Sequence, residues 1–342
     1  MKRKDILVTG GAGYIGSHTV VELYNSGYRP IIVDNLSNTS LSNVKGIEEI
    51  INCKLSFYDF DCTNVDQMNS LFELEKNIEA IIHFAAFKSV EESVREPDKY
   101  FYNNIGSLEV LLEIMINNKV NNIIFSSSCT VYGTPDILPV NELAPFKKAE
   151  SPYGKTKQLC EKLINESSIN SISLRYFNPI GSHESFLIGD CSSDEPNNLI
   201  PVICEVASGK RNSMIIFGNN YNTFDGTCVR DYIHVIDLAR AHVLAVNHIL
   251  RNNKIKTTYN LGSGKGLSVY EVINSFEKAN NVKISYKFGP RRDGDIDKIY
   301  SDNSKIINEL SWSPKISFES ALKTSWGWEE SKRIKKNKFI SV

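Results

Sequence analysis

The 342-residue chain lacks the features that mark membrane, nucleic-acid-binding and disulfide-bonded proteins. No apolar run approaches the roughly 20 residues that a membrane-spanning helix needs, and glycines interrupt the sequence after the basic start Lys2-Arg3-Lys4, so a signal peptide is not expected. The formal net charge of -1 gives no reason to expect nucleic acid or a membrane surface as a partner. Seven cysteines, an odd number without a C-x-x-C pair, indicate reduced thiols and a cytoplasmic location.

Short apolar runs alternate with helical patterns through the first half of the chain. The runs are Ile6 to Val8, Ile31 to Val33, Leu55 to Tyr58, Ala80 to Phe84, Ile123 to Phe125 and Ile172 to Leu174. This alternation predicts an α/β fold with a doubly wound parallel sheet, in which ligands bind beyond the carboxyl ends of the strands. Two intervening helices are predicted to be long, roughly Ser93 to Asn118 and Tyr153 to Ser167, and Pro97 is expected to open a helix.

The alternation breaks down after about Arg175, where a loop-rich stretch and shorter pieces predict a smaller lobe. Strand-like pieces there lie around Met214 to Phe217 and Ile284 to Phe288. A further strand candidate, Thr257 to Leu261, could return to the large sheet.

A glycine-rich loop follows the first apolar run. Gly10-Gly11-Ala12-Gly13-Tyr14-Ile15-Gly16 fits both G-x-x-G-x-x-G and G-x-G-x-x-G and precedes an amphipathic helix. Such glycines let the backbone approach a pyrophosphate at a helix N-terminus. Asp34 follows the second run, where an acidic residue would accept from ribose hydroxyls and repel a 2′-phosphate, so NAD is favoured over NADP. The alternative is a structural turn with a solvated aspartate.

Tyr153 and Lys157 stand four residues apart and would lie one above the other on a helix. A free tyrosine has a pKa near 10, so acting as a base near pH 7 needs a fall of roughly 3 units, or about 4 kcal/mol. A lysine ammonium and the positive charge of an oxidised nicotinamide both favour the phenolate. Because this spacing also arises by chance, the pair gains its meaning from the dinucleotide site.

Taken together, these strings resemble the extended short-chain dehydrogenase/reductase superfamily and, within it, the UDP-glucose 4-epimerase family. The resemblance runs from about Lys4 to Trp328. Its strings are Val8 to His18, Asp34 to Leu36, His83 to Ala85, Ser151 to Lys155, Leu174 to Pro179, Val229 to His234 and Pro290 to Arg292. It implies an isomerase that removes a hydride from C4 of a UDP-hexose, lets the 4-keto sugar rotate and returns the hydride to the opposite face.

The resemblance also implies a role for individual residues. The catalytic residues would be Tyr153, which takes and returns the O4 proton, Lys157 and Ser128. The NAD-binding residues would be Gly10, Gly13, Tyr14, Ile15, Gly16, Asp34, Asn35, Asp61, Cys62, Phe84, Lys88, Asn103, Ser126, Tyr153, Lys157 and Phe177. The UDP-hexose would contact Ser128, Tyr153, Asn178, Asn198, Leu199, Ile215, Phe217, Arg230, Arg292, Asp295 and Ile299.

The same resemblance implies two domains and a homodimer. Residues 1–175, with a return contribution from about 234–265, would form an NAD-binding Rossmann domain, and residues 176–342 a nucleotide-sugar-binding domain. Family members usually pair through the two long helices of the NAD domain. Ile299 stands where a tyrosine tends to restrict relatives to plain hexoses, so activity on UDP-GlcNAc and UDP-GalNAc is also predicted.

Two alternatives remain open. A nucleotide-sugar 4,6-dehydratase begins with the same hydride transfer but needs an added acid and base, supplied in that related family by an Asp-Glu pair after the serines. Cys129-Thr130 occupy that place here, which disfavours elimination. A catalytically silent NAD-binding sensor is the other alternative, and the presence of both Tyr153 and Lys157 argues against it.

Overall fold

The computed structural model describes residues 3–191, 196–292 and 294–340, with side chains described as far as residue 334. The strands are β1 Asp5–Thr9, β2 Arg29–Val33, β3 Ser56–Tyr58, β4 Ile78–His83, β5 Asn122–Ser128, β6 Asn170–Tyr176, β7 Asn178–Ile180, β8 Met214–Phe217, β9 Val229–His234, β10 Lys256–Leu261, β11 Gly266–Ser268, β12 Tyr286–Gly289 and β13 Lys298–Ile299. The helices are α1 Tyr14–Asn25, α2 Leu41–Ile51, α3 Val65–Leu74, α4 Val90–Arg95, α5 Pro97–Asn117, α6 Pro152–Glu166, α7 Leu199–Ala207, α8 Val235–Ile249, α9 Val269–Asn280, α10 Ser304–Leu310 and α11 Phe318–Ile340.

Seven parallel strands form the large sheet, in the order β10-β6-β5-β4-β1-β2-β3. Along β1, Ile6 and Val8 pack into one buried cluster with α1 and α8, whereas Leu7 packs into a second cluster with α3, α5 and α6. Successive side chains of a strand point to opposite faces, so helices cover both sides of the sheet. The predicted doubly wound α/β fold is therefore confirmed.

The strand order reverses between β1 and β4. In open parallel sheets, ligands bind outside the carboxyl ends of the strands at such a reversal. The strand candidate Thr257 to Leu261 does return to this sheet, because β10 pairs with β6 in parallel.

Two smaller sheets follow the large one in the chain. In the first, β9 pairs with β7, β11 and β13, and Arg230 on β9 lies opposite Ile299 on β13. The second joins β8 to β12, which begins two residues later than the strand-like piece predicted at Ile284. These sheets pack with α7, α9 and α11 around a separate apolar core.

The single helix predicted from Ser93 to Asn118 is wrong, because the structure has two helices there. α4 ends at Arg95 and α5 begins at Pro97, as expected for a helix-opening proline. Proline lacks the N–H of a helical hydrogen bond and disfavours the α conformation in the residue before it. Glu96 accordingly leaves the helical conformation, with φ -129° and ψ 60°. Among the described helices, none is long and apolar enough to cross a membrane.

Candidate active site

A cavity opens at the carboxyl ends of the central strands, where the strand order reverses. All of the residues predicted to bind NAD line it: Gly10, Gly13, Tyr14, Ile15, Gly16, Asp34, Asn35, Asp61, Cys62, Phe84, Lys88, Asn103, Ser126, Tyr153, Lys157 and Phe177. Four further predicted residues, Ser128, Asn178, Asn198 and Leu199, also line it. The structure therefore brings residues from distant parts of the chain to one site.

The glycine loop forms a cradle that side chains would fill. A Cβ atom on Gly16 would lie 2.2 Å from the Gly10 carbonyl oxygen, and one on Gly10 would lie 2.7 Å from the Ala85 nitrogen. Gly10 also has a φ of +68°, which glycine adopts without strain. Gly13 precedes α1 and provides no side-chain cap, so N–H groups of the first turn remain available to an anion. This geometry fits a pyrophosphate.

Two carboxylates, Asp34 after β2 and Asp61 after β3, also line the cavity. Asp34 accepts hydrogen bonds from the backbone N–H groups of Ala12 at 3.1 Å and Leu36 at 3.0 Å, yet burial raises its pKa. Asp61 accepts a bond from the side chain of Asn35 at 3.0 Å. Burial alone would raise the pKa of Asp61, but hydrogen bonds from Thr63 and Asn35 outweigh it and lower that pKa. Acceptors for ribose hydroxyls are thus fixed at the ends of β2 and β3.

Lys88 and the segment after β7 face the glycine loop. The Lys88 ammonium lies 3.5 Å from a carboxylate oxygen of Asp190 and 5.8 Å from the centre of the Tyr14 ring. The Tyr14 hydroxyl donates to the Gly181 carbonyl at 2.5 Å. The segment 181–190 therefore contacts the glycine-rich loop, which is predicted from the sequence to bind the pyrophosphate, through Tyr14, and Lys88 through Asp190.

Helix α6 holds the predicted proton-transfer pair. Ser151 caps it by accepting from the Gly154 N–H at 3.1 Å, and Pro152 occupies its first turn, where the missing N–H costs nothing. The Lys157 ammonium donates to the Ser126 carbonyl at 2.7 Å and lies 5.8 Å from the centre of the Tyr153 ring. Ser128, at the end of β5, hydrogen-bonds to Tyr153.

The protein groups alone keep Tyr153 protonated at pH 7. Burial raises the pKa of Tyr153 to about 12, although the hydrogen bond from Ser128 opposes this rise. Burial also lowers the pKa of Lys157 to about 8, which leaves most of it charged at pH 7. The fall in the pKa of Tyr153 expected from the sequence therefore depends on a further positive charge beside the phenol.

A second group of predicted residues lies outside the lining of this cavity. Arg230 contacts Asp295 at 3.4 Å and donates to the Ile296 carbonyl at 2.8 Å. Arg292 contacts the other oxygen of Asp295 at 3.2 Å, and its guanidinium lies 4.6 Å from the centre of the Phe217 ring. Two arginines and an aromatic ring are thereby brought together on β8, β9 and the segment before β13.

The remaining two predicted substrate residues differ in their surroundings. Ile215, on β8, is 50% exposed. Ile299 is 3% exposed and packs into an apolar cluster with Cys129, Val131 and Phe177. Because Phe177 also lines the cavity, Ile299 lies directly behind its wall.

Several lining residues were not predicted, including Ser37, Thr39, Tyr176, Asp190 and Tyr232. Tyr176 ends β6, so the rule about carboxyl ends of strands would have found it. Ser37 and Thr39 follow β2 in a polar loop, a weaker form of the same signal. Asp190 and Tyr232 come from the irregular second half, where no periodic pattern indicates which residues meet the large sheet.

His18, in the helix that follows the glycine loop, is buried. Its Nδ1 donates to the Tyr14 carbonyl at 2.7 Å, and burial lowers the pKa of its ring to about 3. It therefore packs as a neutral side chain inside α1.

Comparisons with known proteins agree with this geometry. The family model described as GDP-mannose 4,6 dehydratase matches residues 7–325. The UDP-glucose 4-epimerase of Bacillus subtilis (strain 168) is 46% identical to the chain, covering 95% of it and 97% of the relative. The crystal structure of the Stenotrophomonas maltophila UDP-glucose-4-epimerase with bound NAD and formylated UDP-arabinopyranose has a TM-score of 0.93 at 42% identity, covering 97% of this chain and 99% of that one. The Bifidobacterium longum UDP-glucose 4-epimerase in complex with NAD+ and UDP has a TM-score of 0.92 at 42% identity, covering 96% and 99%.

Proposed function

The chain belongs to the UDP-glucose 4-epimerase family of the extended short-chain dehydrogenase/reductase superfamily, and on that premise we propose how its residues interconvert UDP-glucose and UDP-galactose. It is an NAD-dependent isomerase. The observation that carries the proposal is the meeting of the glycine loop with Tyr153, Lys157 and Ser128 in one cavity.

The cavity residues fit NAD. The Gly10–Gly16 loop binds the pyrophosphate, Asp34 accepts from the adenosine ribose, and Lys157 holds the nicotinamide ribose beside Phe177. When bound, NAD would supply the hydride acceptor, and then the hydride donor, for C4 of the sugar. Since the reaction has no net redox change, tight retention of the cofactor favours repeated turnover.

Tyr153 acts as the base and acid at O4 of the sugar. It removes the hydroxyl proton as C4 is oxidised and returns it when C4 is reduced. Ser128 hydrogen-bonds to Tyr153 and would also hydrogen-bond to the sugar's O4 hydroxyl. The Lys157 ammonium lies 5.8 Å from the centre of the Tyr153 ring, and a positive charge held near a phenol favours the phenolate. Burial raises the pKa of Tyr153, and the positive charge of an oxidised nicotinamide bound beside it would favour the phenolate.

The nucleotide of the substrate binds near Arg230 and Arg292. Guanidinium groups form paired hydrogen bonds to phosphate oxygens, and both groups are held in place by Asp295. Phe217 would flank the uracil. The predicted contacts with Asn178, Asn198, Leu199 and Ile215 complete this binding surface.

The 4,6-dehydratase activity named by the family model is disfavoured by two residues. Elimination needs an acid and a base where Cys129 and Thr130 stand. Burial raises the pKa of the Cys129 thiol to about 12, so the thiol does not exchange protons readily near pH 7. The Thr130 hydroxyl has no accessible pKa in this range. Return of the hydride to C4 is therefore the favoured outcome.

The proposal extends to N-acetylated substrates. Ile299 lies behind the cavity wall with Phe177 and Cys129 and opposite Arg230 on the neighbouring strand. Isoleucine is smaller than tyrosine, which leaves room for a group on C2 of the sugar. UDP-GlcNAc and UDP-GalNAc are thus included among the proposed substrates.

The division of labour follows the proposed domains. Residues 1–175, together with residues 234–265, hold NAD, and the rest of residues 176–342 hold the nucleotide sugar. In support, β10 completes the large sheet, α8 packs against α1, and the Tyr28 hydroxyl donates to Asn247 on α8 at 2.6 Å.

A homodimer through α5 and α6 is also proposed. A groove along these helices is lined by Phe101, Phe146 and Leu159 together with several lysines. Tyr102 on α5 is 73% exposed, and a Cβ atom on Gly106 would meet nothing within 4 Å. A glycine in the interior of an exposed helix costs about 1 kcal/mol relative to alanine. The fold of the single chain does not require glycine at position 106, because a Cβ atom would fit there. The absence of a side chain at Gly106 would allow the helix of a second chain to approach α5 closely.

A cytoplasmic location is proposed from the thiols. All seven cysteines, including the exposed Cys53, are free. Reduced thiols are typical of reducing compartments. Subcellular fractionation that recovers the protein only from an oxidising compartment would contradict this part of the proposal.

The test of the function uses the purified protein with no added NAD. Incubation with UDP-galactose should yield UDP-glucose, and denaturation of the same active preparation should release dinucleotide. Loss of the 6-hydroxyl in the product would instead indicate a dehydratase. An absence of any product, with NAD bound, would favour the silent sensor.

A further inference from the structure

Helix α6 meets the end of β5 at three successive turns. Tyr153, Lys157 and Glu161 are spaced by four residues and therefore share one face of the helix. Ser128 hydrogen-bonds to Tyr153, the Ser126 carbonyl accepts from Lys157, and the Ser127 hydroxyl donates to Glu161. The third contact uses neither of the two residues assigned to proton transfer.

Arg175 on β6 fixes the Glu161 carboxylate from the other side. Its Nε donates to one carboxylate oxygen at 2.9 Å, and its Nη2 donates to the other at 2.7 Å. The Arg175 side chain is 6% exposed and that of Glu161 is 1% exposed. Arg175 lies opposite Ser127 in the pairing of β5 with β6, so one carboxylate is joined to two adjacent strands.

The arginine is itself held by neutral partners. Its Nη1 donates to the Tyr132 hydroxyl at 2.9 Å, and that hydroxyl donates to Asn260 on β10 at 2.6 Å. The network thus extends from α6 through β6 to the edge of the large sheet. Among the described residues, no buried side-chain nitrogen or oxygen atom of this network lacks a hydrogen-bond partner.

A buried ion pair of this kind contributes little to stability by itself. The cost of removing both charges from water often equals the attraction between them, and apolar residues of similar size frequently stabilise a core as well. A bidentate arginine–carboxylate pair does impose direction, because two parallel hydrogen bonds fix the plane of each group. The pair is therefore suited to orienting α6.

We propose that Glu161 is a positioning residue, which Arg175 and Ser127 hold so that Tyr153 and Lys157 keep their alignment with the serine end of β5. This inference rests on the catalytic roles proposed above for Tyr153 and Lys157. A small slide or rotation of α6 would separate Tyr153 from Ser128 and Lys157 from the Ser126 carbonyl together. Misplacement of reacting groups by about 1 Å can lower a rate by about 100-fold.

Glu161 also influences the charge of Lys157. Burial lowers the pKa of Lys157 to about 8, and the nearby Cys160 and Glu161 oppose that shift. The titratable groups that face this lysine are Tyr153, Cys160 and Glu161 on α6, His83 on β4 and Tyr176 on β6. Removing only the charge of Glu161 should make Lys157 lose its proton at a lower pH.

The test compares Glu161→Gln with Ser127→Ala. Glu161→Gln should lower kcat by about 10-fold to 100-fold with the KM for UDP-galactose and the NAD content little changed, because the change affects alignment rather than binding. The alkaline limb of its kcat profile should move to lower pH. Ser127→Ala keeps the charge, so it should lower kcat by a smaller factor and leave the alkaline limb where it is in the wild type.

A matched control lies at the opposite edge of the sheet. Glu75 also forms a paired contact with an arginine, accepting from Nη1 and Nη2 of Arg29 at 2.9 Å each, and it accepts from the Tyr58 hydroxyl. The Arg29 side chain is 40% exposed, so this pair is less buried than the pair of Glu161 with Arg175. Glu75→Gln should lower stability without changing kcat. An equal loss of kcat in Glu75→Gln would show a general loosening and overturn the positioning role.

The remaining outcomes separate this inference from the proposed function. Wild-type kcat and pH dependence in Glu161→Gln would overturn the inference alone, provided that Tyr153→Phe is inactive in the same assay. Activity retained by Tyr153→Phe would overturn the proposed function instead. Should Glu161→Gln fail to fold, Ser127→Ala decides, and an unchanged kcat in that variant overturns the inference.

Discussion

A single hydroxyl group carries the proton chemistry proposed for this chain. Tyr153→Phe removes that hydroxyl and keeps the ring, so NAD should remain bound while kcat falls by about 100-fold to 10,000-fold, the usual range for loss of a general acid and base. Turnover of UDP-galactose and the NAD released on denaturation are the two measurements. Unchanged turnover would contradict the mechanism, which assigns the transfer of the O4 proton to the hydroxyl that hydrogen-bonds to Ser128.

The side chain of Ile299 is proposed to control whether acetylated sugars are accepted as substrates. Ile299→Tyr should selectively lower kcat/KM for UDP-GlcNAc by about 10-fold or more, since a small difference in fit between a pocket and its substrate is worth about 1–3 kcal/mol, while UDP-glucose, which lacks the acetyl group, is converted nearly as before. The measurement is kcat/KM for both sugars with the wild type and the variant. A wild type that is inert toward UDP-GlcNAc would refute the extension to acetylated sugars.

Residues that follow the regular strands could be predicted from the sequence, whereas residues in irregular segments could not. Gly10, Asp34 and Ser128 each stand where a strand ends, and general rules for parallel sheets place such residues at the ligand. Asp190 reaches the site through the fold of residues 181–190, which no local pattern reveals. The sequence also does not predict the raised pKa of Tyr153, because that pKa depends on how deeply the phenol is buried.

At the level of elements, we expect the close approach of the glycine loop to α1 to be needed for the proposed retention of the cofactor. Gly16→Ala would place a Cβ atom 2.2 Å from the Gly10 carbonyl, so the loop must move away from the position that receives the pyrophosphate. The purified variant should contain much less NAD than the wild type, and added NAD should restore part of its turnover. A variant with full NAD content would contradict this role of the loop.

Element boundaries show the same division between local and distant causes. Helix α6 was predicted within one residue at each end, because its serine cap and early proline act locally. The helical pattern from Ser93 to Asn118 does not reveal the break between α4 and α5, although Pro97 by itself indicates the start of a helix. The sequence does not determine that β10 pairs with β6, because no local pattern indicates which strand a distant segment will join.

At the level of the whole molecule, two copies of the chain are expected to associate as a homodimer. Light scattering should find a species of twice the 38.5 kDa of one chain. Gly106→Arg should shift it toward the monomer, because a long charged side chain would prevent the close approach of a second helix to α5. Gly106→Ala is the matched control: it should remain dimeric and gain up to about 1 kcal/mol of helix stability. A wild type found only as a monomer would exclude the dimer.

The pairing of β10 with β6 has a consequence for synthesis of the protein. The strand at the outer edge beside β6 in the large sheet comes from residues 256–261, after the chain has passed through strands β7, β8 and β9 of the two smaller sheets. A ribosome must therefore translate residues 177–261 after β6 is complete before that strand can gain its outer neighbour. Until then a nascent chain exposes an open strand edge, which is the kind of surface that invites association with other chains.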